Sequence, residues 1–214
     1  MKHKIKLTTL YLLLGAGGLW HLLGLFQSAM AWLAGPLLIG LGVWTAWEWY
    51  HTLSENQRWR YIGWATFVIA GSFLLEWIGV KTGVVFGEYH YGTVLQPQVA
   101  GVPVAIGFAW LTVMLSSTAV VGRLRSGMRG WGLVIGGALF MVTFDVILEL
   151  AAMKLGYWEW EGVLVPIRNY VAWFAGGLIF LSIGDLLKIF PSKIPKILMH
   201  MYFAQILYFG LALI

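Results

Sequence analysis

Three carboxylic acids lie within otherwise apolar stretches of this chain, at Glu76, Asp145 and Glu149. An ionisable residue inside a hydrophobic segment is costly unless it has a use, so function is sought here first. The i, i+4 spacing of Asp145 and Glu149 puts both on one helix face, about 5 Å apart along the axis. Two carboxyl groups this close in a low dielectric cannot both ionise cheaply, so one is expected to keep its proton near neutral pH. A neutral, buried carboxylic acid is what a proton donor requires.

The residues that follow two of these acids, Glu76 and Glu149, form the same sequence pattern in both places. A spacing of 73 residues separates three pairs of identical residues: Glu76 and Glu149, Lys81 and Lys154, and Gly83 and Gly156. A spacing of 63 separates two further pairs: Pro103 and Pro166, and Trp110 and Trp173. The two spacings agree if one pattern was duplicated and its internal loop is ten residues shorter in the second copy. We therefore predict a repeat with copies at about 61–121 and 131–187.

The composition is that of a protein with several membrane-spanning segments. Hydrophobic residues make up 60% of the 214 residues and charged residues 11%, and the mean hydropathy is +0.80. An ordinary soluble domain does not have this balance, so we predict an all-α integral membrane protein with a single polytopic domain over residues 1–214. The chain has no cysteine, which excludes disulfides and metal sites built from thiolates.

Seven apolar segments are each close to the ~20 residues that cross the hydrocarbon layer. They are residues 7–26, 29–50, 61–80, 102–121, 131–152, 167–187 and 196–214. Eleven of the 14 Lys and Arg residues precede the first segment or lie in connections on that same side. The positive-inside rule therefore predicts a multi-pass protein of the cytoplasmic (inner) membrane with a cytoplasmic N-terminus. Both repeat copies are then hairpins of transmembrane helices that run outward and back, which makes the repeat parallel.

The loop within each repeat copy alternates aromatic and polar residues between glycines. Tyr89 and Tyr91 flank a histidine in the first loop, and Trp158 and Trp160 flank a glutamate in the second. This alternation predicts a short extended or re-entrant segment at the outer interface. Such backbone is tolerated at membrane depth where protein covers it or water reaches it.

Two interpretations stay open for the residues that are repeated. Trp110 and Trp173 either line an apolar tunnel or pack as ordinary helix residues. Glu76 and Glu149 either serve a function or pair with the lysines that follow them as anchors of the helix ends. The five histidines are scattered without metal-ligand spacing, and there is no Gly-rich phosphate motif, so we expect no metal and no nucleotide. The net charge of +5 arises in the connections and does not indicate a nucleic-acid partner.

Two stretches carry a distinctive combination of these residues. The first contains Glu76, Gly79-Val80-Lys81-Thr82-Gly83, Phe86-Gly87-Glu88-Tyr89, Tyr91 and Gly101-Val102-Pro103, and the second contains Phe144-Asp145, Glu149, Lys154-Leu155-Gly156-Tyr157-Trp158-Glu159-Trp160, Pro166, Asn169-Tyr170 and Ala172-Trp173. Over about residues 60–190 the chain thus resembles the integral-membrane carotenoid-biosynthesis family, which includes hydratases of acyclic carotenoid ends. Membrane lycopene cyclases are more distantly similar. The glutamate pair that follows a proline in those cyclases is replaced here by Ile167-Arg168-Asn169, which counts against cyclase activity.

The resemblance implies a hydratase that needs no cofactor and no metal. The terminal double bond is protonated at C2, the tertiary cation forms at C1, and water captures it to give a tertiary alcohol. Asp145 is then expected to donate the proton, Glu149 to tune this donor, and Glu76 to hold or deprotonate the water, while the sequence leaves open which of the three acids has which role. The residues expected to contact the substrate are Tyr89, Tyr91, Trp110, Trp158, Trp160, Asn169 and Trp173.

Three other functions fit the same pattern. The first is a carotenoid isomerase similar to lycopene cyclase, the second is a carotenoid-binding membrane protein without activity, and the third is a small transporter, whose hairpin repeats and buried acids would look alike. The expected partners are a carotenoid within the bilayer, water and other enzymes of the same pathway, with no nucleic acid. An enzyme of this kind would open its site laterally to lipid, whereas a transporter would connect water on both sides.

Overall fold

Within residues 2–125, 128–162 and 164–214, which the computed structural model describes, the chain forms seven α-helices. They are α1 (Lys2–Leu22), α2 (Gln27–Tyr50), α3 (Glu55–Thr82), α4 (Ala105–Leu124), α5 (Trp131–Lys154), α6 (Ile167–Leu186) and α7 (Lys196–Leu213). Six of these, α2 to α7, are long and apolar enough to cross a membrane. The prediction of an all-α, multi-pass membrane protein is confirmed. The first predicted segment is helical, but α1 is not one of the six.

Four of the seven helices, α1 to α4, begin at a different residue from the one that hydropathy predicted, and the cause is visible for α3 and α4. Helix α3 begins at Glu55 instead of residue 61, because Ser54 and Gln57 form a capping box in which the Ser54 N–H donates to Gln57 Oε1 at 3.1 Å. Helix α4 begins at Ala105 instead of residue 102, because the preceding Val102–Pro103 pairs with another short strand. Hydropathy locates apolar runs, whereas capping and strand pairing decide where the helix begins.

Helix α4 is the centre of the bundle and is buried along most of its length. Helices α2, α3, α5 and α7 pack around it, α6 packs on α5 and α3, and α1 packs mainly on α7. The contact of α4 with α3 depends on Gly107, where a Cβ atom would lie 2.5 Å from the carbonyl oxygen of Ile69. A small residue here lets the two backbones approach closely, as is common in membrane bundles.

Four short strands lie in the loops that join α3 to α4 and α5 to α6. They are β1 (Tyr89–Tyr91), β2 (Gln98–Val99), β3 (Val102–Pro103) and β4 (Trp158–Trp160). Strands β2 and β3 pair locally, whereas β1 pairs antiparallel with β4 from the other loop. We call the β1–β4 pair the ribbon. The extended segments predicted from the alternation are therefore present, but their pairing with each other was not foreseen.

The register of the ribbon relates the two loops by a local two-fold arrangement. Tyr89 lies opposite Trp160 and Tyr91 lies opposite Trp158, with His90 facing Glu159 at the centre. An axis through this central pair would exchange the first residue of one strand with the first residue of the other. Such an axis is what a parallel repeat of hairpins requires. The duplication itself remains a prediction from the sequence.

Candidate active site

Glu76 lies in the last two turns of α3, where the ribbon and α4 provide three donors to its buried carboxyl group. The hydroxyls of Tyr89 and Tyr91 donate to Oε2 at 2.5 and 2.9 Å, and Trp110 Nε1 donates to Oε1 at 2.9 Å. Burial, followed by the charge of Glu76, raises the pKa of Tyr89 and of Tyr91. Both hydroxyls therefore stay protonated and remain donors.

Glu149 lies near the end of α5 and is also buried and held by three donors. The indole Nε1 atoms of Trp158 and Trp160 both donate to Oε2 at 2.9 Å, and Asn169 Nδ2 donates to Oε1 at 3.1 Å. Each buried glutamate thus accepts from two aromatic residues of one ribbon strand and from one residue of a following helix. Three neutral donors to one carboxylate favour its charged form.

Asp145 lies one turn before Glu149 on the same face of α5 and is completely buried. Asn169 Nδ2 donates to its Oδ2 at 2.7 Å, so this single amide joins Asp145 and Glu149. The second oxygen, Oδ1, has no hydrogen-bond partner among the residues that the structure describes. An unpartnered buried oxygen is costly on a carboxylate, and the cost falls if that oxygen carries a proton.

The ribbon covers the acids with one of its two faces. Side chains two residues apart in a strand point to the same side, so Tyr89 and Tyr91 both reach Glu76 and Trp158 and Trp160 both reach Glu149. The central residues, His90 and Glu159, face the other way and are exposed, with His90 Nε2 3.8 Å from the Glu159 carboxylate. The alternation seen in the sequence therefore separates a face that contacts the acids from a face that contacts solvent.

A cavity lies between the two glutamates and is walled mainly by aromatic rings. Its free space of about 40 Å³ is enough for a few water molecules. On one wall the Trp110 and Trp173 rings are stacked, with centroids 4.1 Å apart and an angle of 12° between the planes. Nine of the ten residues predicted for the site line this cavity: Glu76, Tyr89, Tyr91, Trp110, Glu149, Trp158, Trp160, Asn169 and Trp173.

The tenth predicted residue, Asp145, does not line the cavity. Its link to the lining is the hydrogen bond from Asn169, which Asp145 shares with Glu149. The sequence spacing placed Asp145 and Glu149 correctly on one helix face. It did not reveal that only Glu149 reaches the open space.

None of the three acids forms an ion pair with a Lys, Arg or His residue in the part of the chain that the structure describes. Lys154, the candidate anchor for Glu149, donates to the carbonyl oxygen of Leu213 at 3.0 Å. The anchoring interpretation is therefore wrong for Glu149. The hydrogen bonds to Glu76 and Glu149 come from neutral N–H and O–H groups, and aromatic rings line the space between these two acids. The described residues include no group of three His, Asp or Glu side chains that could hold a metal ion.

Two polar residues of the lining were not selected from the sequence. Gln205 of α7 is buried and lines the cavity, and its Nε2 donates to the carbonyl oxygen of Met201 at 3.0 Å. Tyr157, which immediately precedes β4, also lines the cavity. A buried glutamine in an apolar span was a usable signal for Gln205.

Comparison with known proteins gives a family and one distant relative. The family model described as "carotenoid biosynthesis protein" matches residues 34–212. The bisanhydrobacterioruberin hydratase of Haloarcula japonica is 28% identical over 121 residues, which cover 53% of this chain and 41% of that protein. The match thus spans less than half the length of that relative. No solved structure matches the chain.

Proposed function

Since the chain belongs to the carotenoid biosynthesis protein family, we propose that it is a membrane hydratase that adds water to the terminal C1–C2 double bond of an acyclic carotenoid. One relative bears the name of a carotenoid hydratase. The substrate is apolar and long, so it reaches the site from within the bilayer. Its end needs more room than the cavity offers at rest, and we expect lining side chains to move when it binds.

The observation that supports this proposal is the pair of buried glutamates, each held by three neutral donors, on one aromatic cavity. Protonation of a trisubstituted double bond at C2 leaves a tertiary cation at C1. Carboxylates fixed in a low-dielectric site stabilise such a charge strongly, and the faces of Trp110 and Trp173 add a favourable ring quadrupole. The site supplies negative charge where the reaction develops positive charge.

The geometry favours Glu149 over Asp145 as the group that delivers the proton. A proton donor must come within hydrogen-bond reach of the atom it protonates, and Glu149 lines the cavity whereas Asp145 does not. We propose that Asp145 and Glu149 share one proton as a coupled pair joined by Asn169. Asp145, with its unpartnered Oδ1, holds this proton at rest. This reverses the roles expected from the sequence.

Glu76 then serves as the base that faces the same cavity. A water molecule attacks C1, its oxygen forms the new C–O bond, and its released proton passes to Glu76. Tyr89 and Tyr91 hold the Glu76 carboxylate in place with hydroxyls that stay protonated. The product is a tertiary alcohol. The Asp145–Glu149 pair has lost one proton and Glu76 has gained one, so the reaction is balanced and the cycle closes when one proton leaves Glu76 and one returns to the pair.

The direct test is expression in a host that accumulates an acyclic carotenoid, followed by chromatography and mass measurement of the pigment. We expect a more polar pigment whose mass has increased by one water. An unchanged mass with an altered absorption spectrum would favour the isomerase. An unchanged pigment, with the protein present in the membrane, would contradict any catalytic function on that carotenoid.

A further inference from the structure

We infer that a chain of hydrogen-bonded side chains from His21 through Tyr208 to Tyr157 conducts protons between the surface and the carboxyl cavity. His21 Nε2 lies 2.9 Å from the Tyr208 hydroxyl, which lies 3.3 Å from the Tyr157 hydroxyl. The three residues belong to α1, α7 and the loop after α5. The inference rests on the proposed hydration, because that reaction moves protons within a buried site.

Tyr157 connects two separate spaces. On one side it lines the carboxyl cavity with Glu149. On the other it lines a second pocket, of about 100 Å³, that also contains His21, Gln27 and Lys154. His21 is only half-buried, whereas Tyr157 is buried. The path therefore begins at a polar surface pocket and ends at the wall of the site.

The hydrogen bonds of Gln27 set the direction of this chain. Gln27 Nε2 donates to the carbonyl oxygens of Trp20 and Leu25, both at 3.2 Å, so its Oε1 faces His21 Nδ1 at 3.1 Å as an acceptor. Nδ1 then carries the hydrogen and Nε2 accepts from Tyr208. Tyr208 in turn accepts from Tyr157. In this orientation a proton arriving at Tyr157 is passed outward to His21, and reversal of the two hydroxyls permits inward passage.

Such an exchange path can reset the acids, since hydration takes up no net proton but moves one from the acid pair to Glu76. After each turnover the Asp145–Glu149 pair is one proton short and Glu76 holds one too many. The ribbon and the aromatic walls separate these groups from solvent. Water in the cavity can join Tyr157 to the carboxyl groups, and the side chains of the chain join Tyr157 to the outside. Lys154 is a charged side chain in the pocket that contains His21. It does not interrupt the path, because its ammonium group donates to the carbonyl oxygen of Leu213.

The first test is Tyr208→Phe, which keeps the ring and removes the hydroxyl in the middle of the path. We expect the hydration rate to fall at least ~10-fold with the same product and a normal amount of protein in the membrane. Tyr11→Phe is a matched control. Tyr11 also joins α1 to α7, through a 3.0 Å hydrogen bond to His200 Nδ1, but it lines neither space. We expect wild-type activity from Tyr11→Phe.

The second test replaces the outer end of the path. His21→Ala is expected to lose activity and to regain it when free imidazole is added, since the small base can enter the vacated space. A purely structural role for His21 would give no such rescue. Wild-type activity in Tyr208→Phe, or loss of activity in His21→Ala without rescue, would overturn the inference while leaving the hydration intact.

A third measurement does not depend on hydration. Infrared spectra recorded after a pH jump follow the protonation of buried carboxyl groups directly. We expect this protonation to be at least ~10-fold slower in Tyr208→Phe than in the wild type and in Tyr11→Phe. If the wild type hydrates no acyclic carotenoid, the proposed function fails, and this measurement alone decides the inference. Equal rates in all three proteins would contradict the proton path.

Discussion

Glu76 and Glu149 are held by donors that differ in one chemical respect. A tyrosine hydroxyl can donate or accept a hydrogen bond, whereas an indole N–H or an amide NH2 can only donate. Glu76 has two hydroxyls and one indole as partners, and Glu149 has two indoles and one amide group. The two sites therefore respond differently when the acid becomes an amide.

We expect Glu149→Gln to destabilise the protein more than Glu76→Gln. In Glu149→Gln the new NH2 group faces either the two indole N–H groups, which cannot accept, or Asn169, which can present its oxygen only by giving up its hydrogen bond to Asp145. Either arrangement loses a buried hydrogen bond, at a cost of about 1–3 kcal/mol. In Glu76→Gln the NH2 group can face Tyr89 and Tyr91, whose hydroxyls can turn to accept. Thermal unfolding of the purified variants in detergent measures the difference. Equal losses, or a larger loss for Glu76→Gln, would contradict the assigned hydrogen bonds.

Asp145→Asn separates the chemistry of the acid pair from its packing. The substitution keeps the size of the side chain and the oxygen that accepts from Asn169, but it removes the shared proton. We expect the hydration rate to fall at least ~10²-fold while the unfolding temperature changes little. Pigment conversion per amount of membrane protein is the measurement. Normal conversion by Asp145→Asn would make Asp145 a structural residue and leave Glu149 to act alone.

At the scale of the elements, the ribbon fixes both acids because it ties the two long loops together. The loops approach closely at Gly92, whose N–H donates to the carbonyl oxygen of Tyr157 at 2.9 Å. A Cβ atom at Gly92 would lie 2.2 Å from the backbone oxygen of Gly156. Any side chain there must push the two loops apart.

Gly92→Ala is therefore expected to destabilise the ribbon by about 1–3 kcal/mol and to reduce hydration. Gly15→Ala in α1 is the control, because a Cβ atom there meets no atom of the described residues within 4 Å. Limited proteolysis in the loops, together with pigment conversion, measures both effects. An intact ribbon with full activity in Gly92→Ala would mean that the close approach of the loops is not required.

The sequence predicts the helices and the buried acids, but it does not predict which strands pair with each other. Apolar runs predicted the helices, and the 73-residue spacing selected Glu76 and Glu149 as equivalent. The pairing of β1 with β4 joins segments that are far apart in the chain, and nothing in the sequence of either strand predicts the other as its partner. Helix periodicity predicts that Asp145 and Glu149 share a helix face, but it does not predict which of the two side chains reaches open space. The sequence therefore could not show that Asp145 lies behind the cavity wall.

At the scale of the whole molecule, the number of helices and the orientation of the chain can be tested together. Seven crossings with a cytoplasmic N-terminus place Ile214 outside the cytoplasm. A reporter that works only outside the cytoplasm, fused after Ile214, is expected to be active. The same reporter fused after Leu124, in a basic connection, is expected to be silent. A silent fusion at Ile214 would mean that the predicted topology is wrong.

The parallel stack of Trp110 and Trp173 also provides a spectroscopic signal from the cavity. The two indole rings are nearly parallel and their centroids are 4.1 Å apart, so their electronic transitions couple. The protein is therefore expected to show a pair of circular dichroism bands of opposite sign, which Trp173→Phe abolishes. A bound polyene absorbs where tryptophan emits, and emission from these two rings is expected to fall as the cavity fills. Titration with pigment in detergent can thus count occupied sites without any turnover.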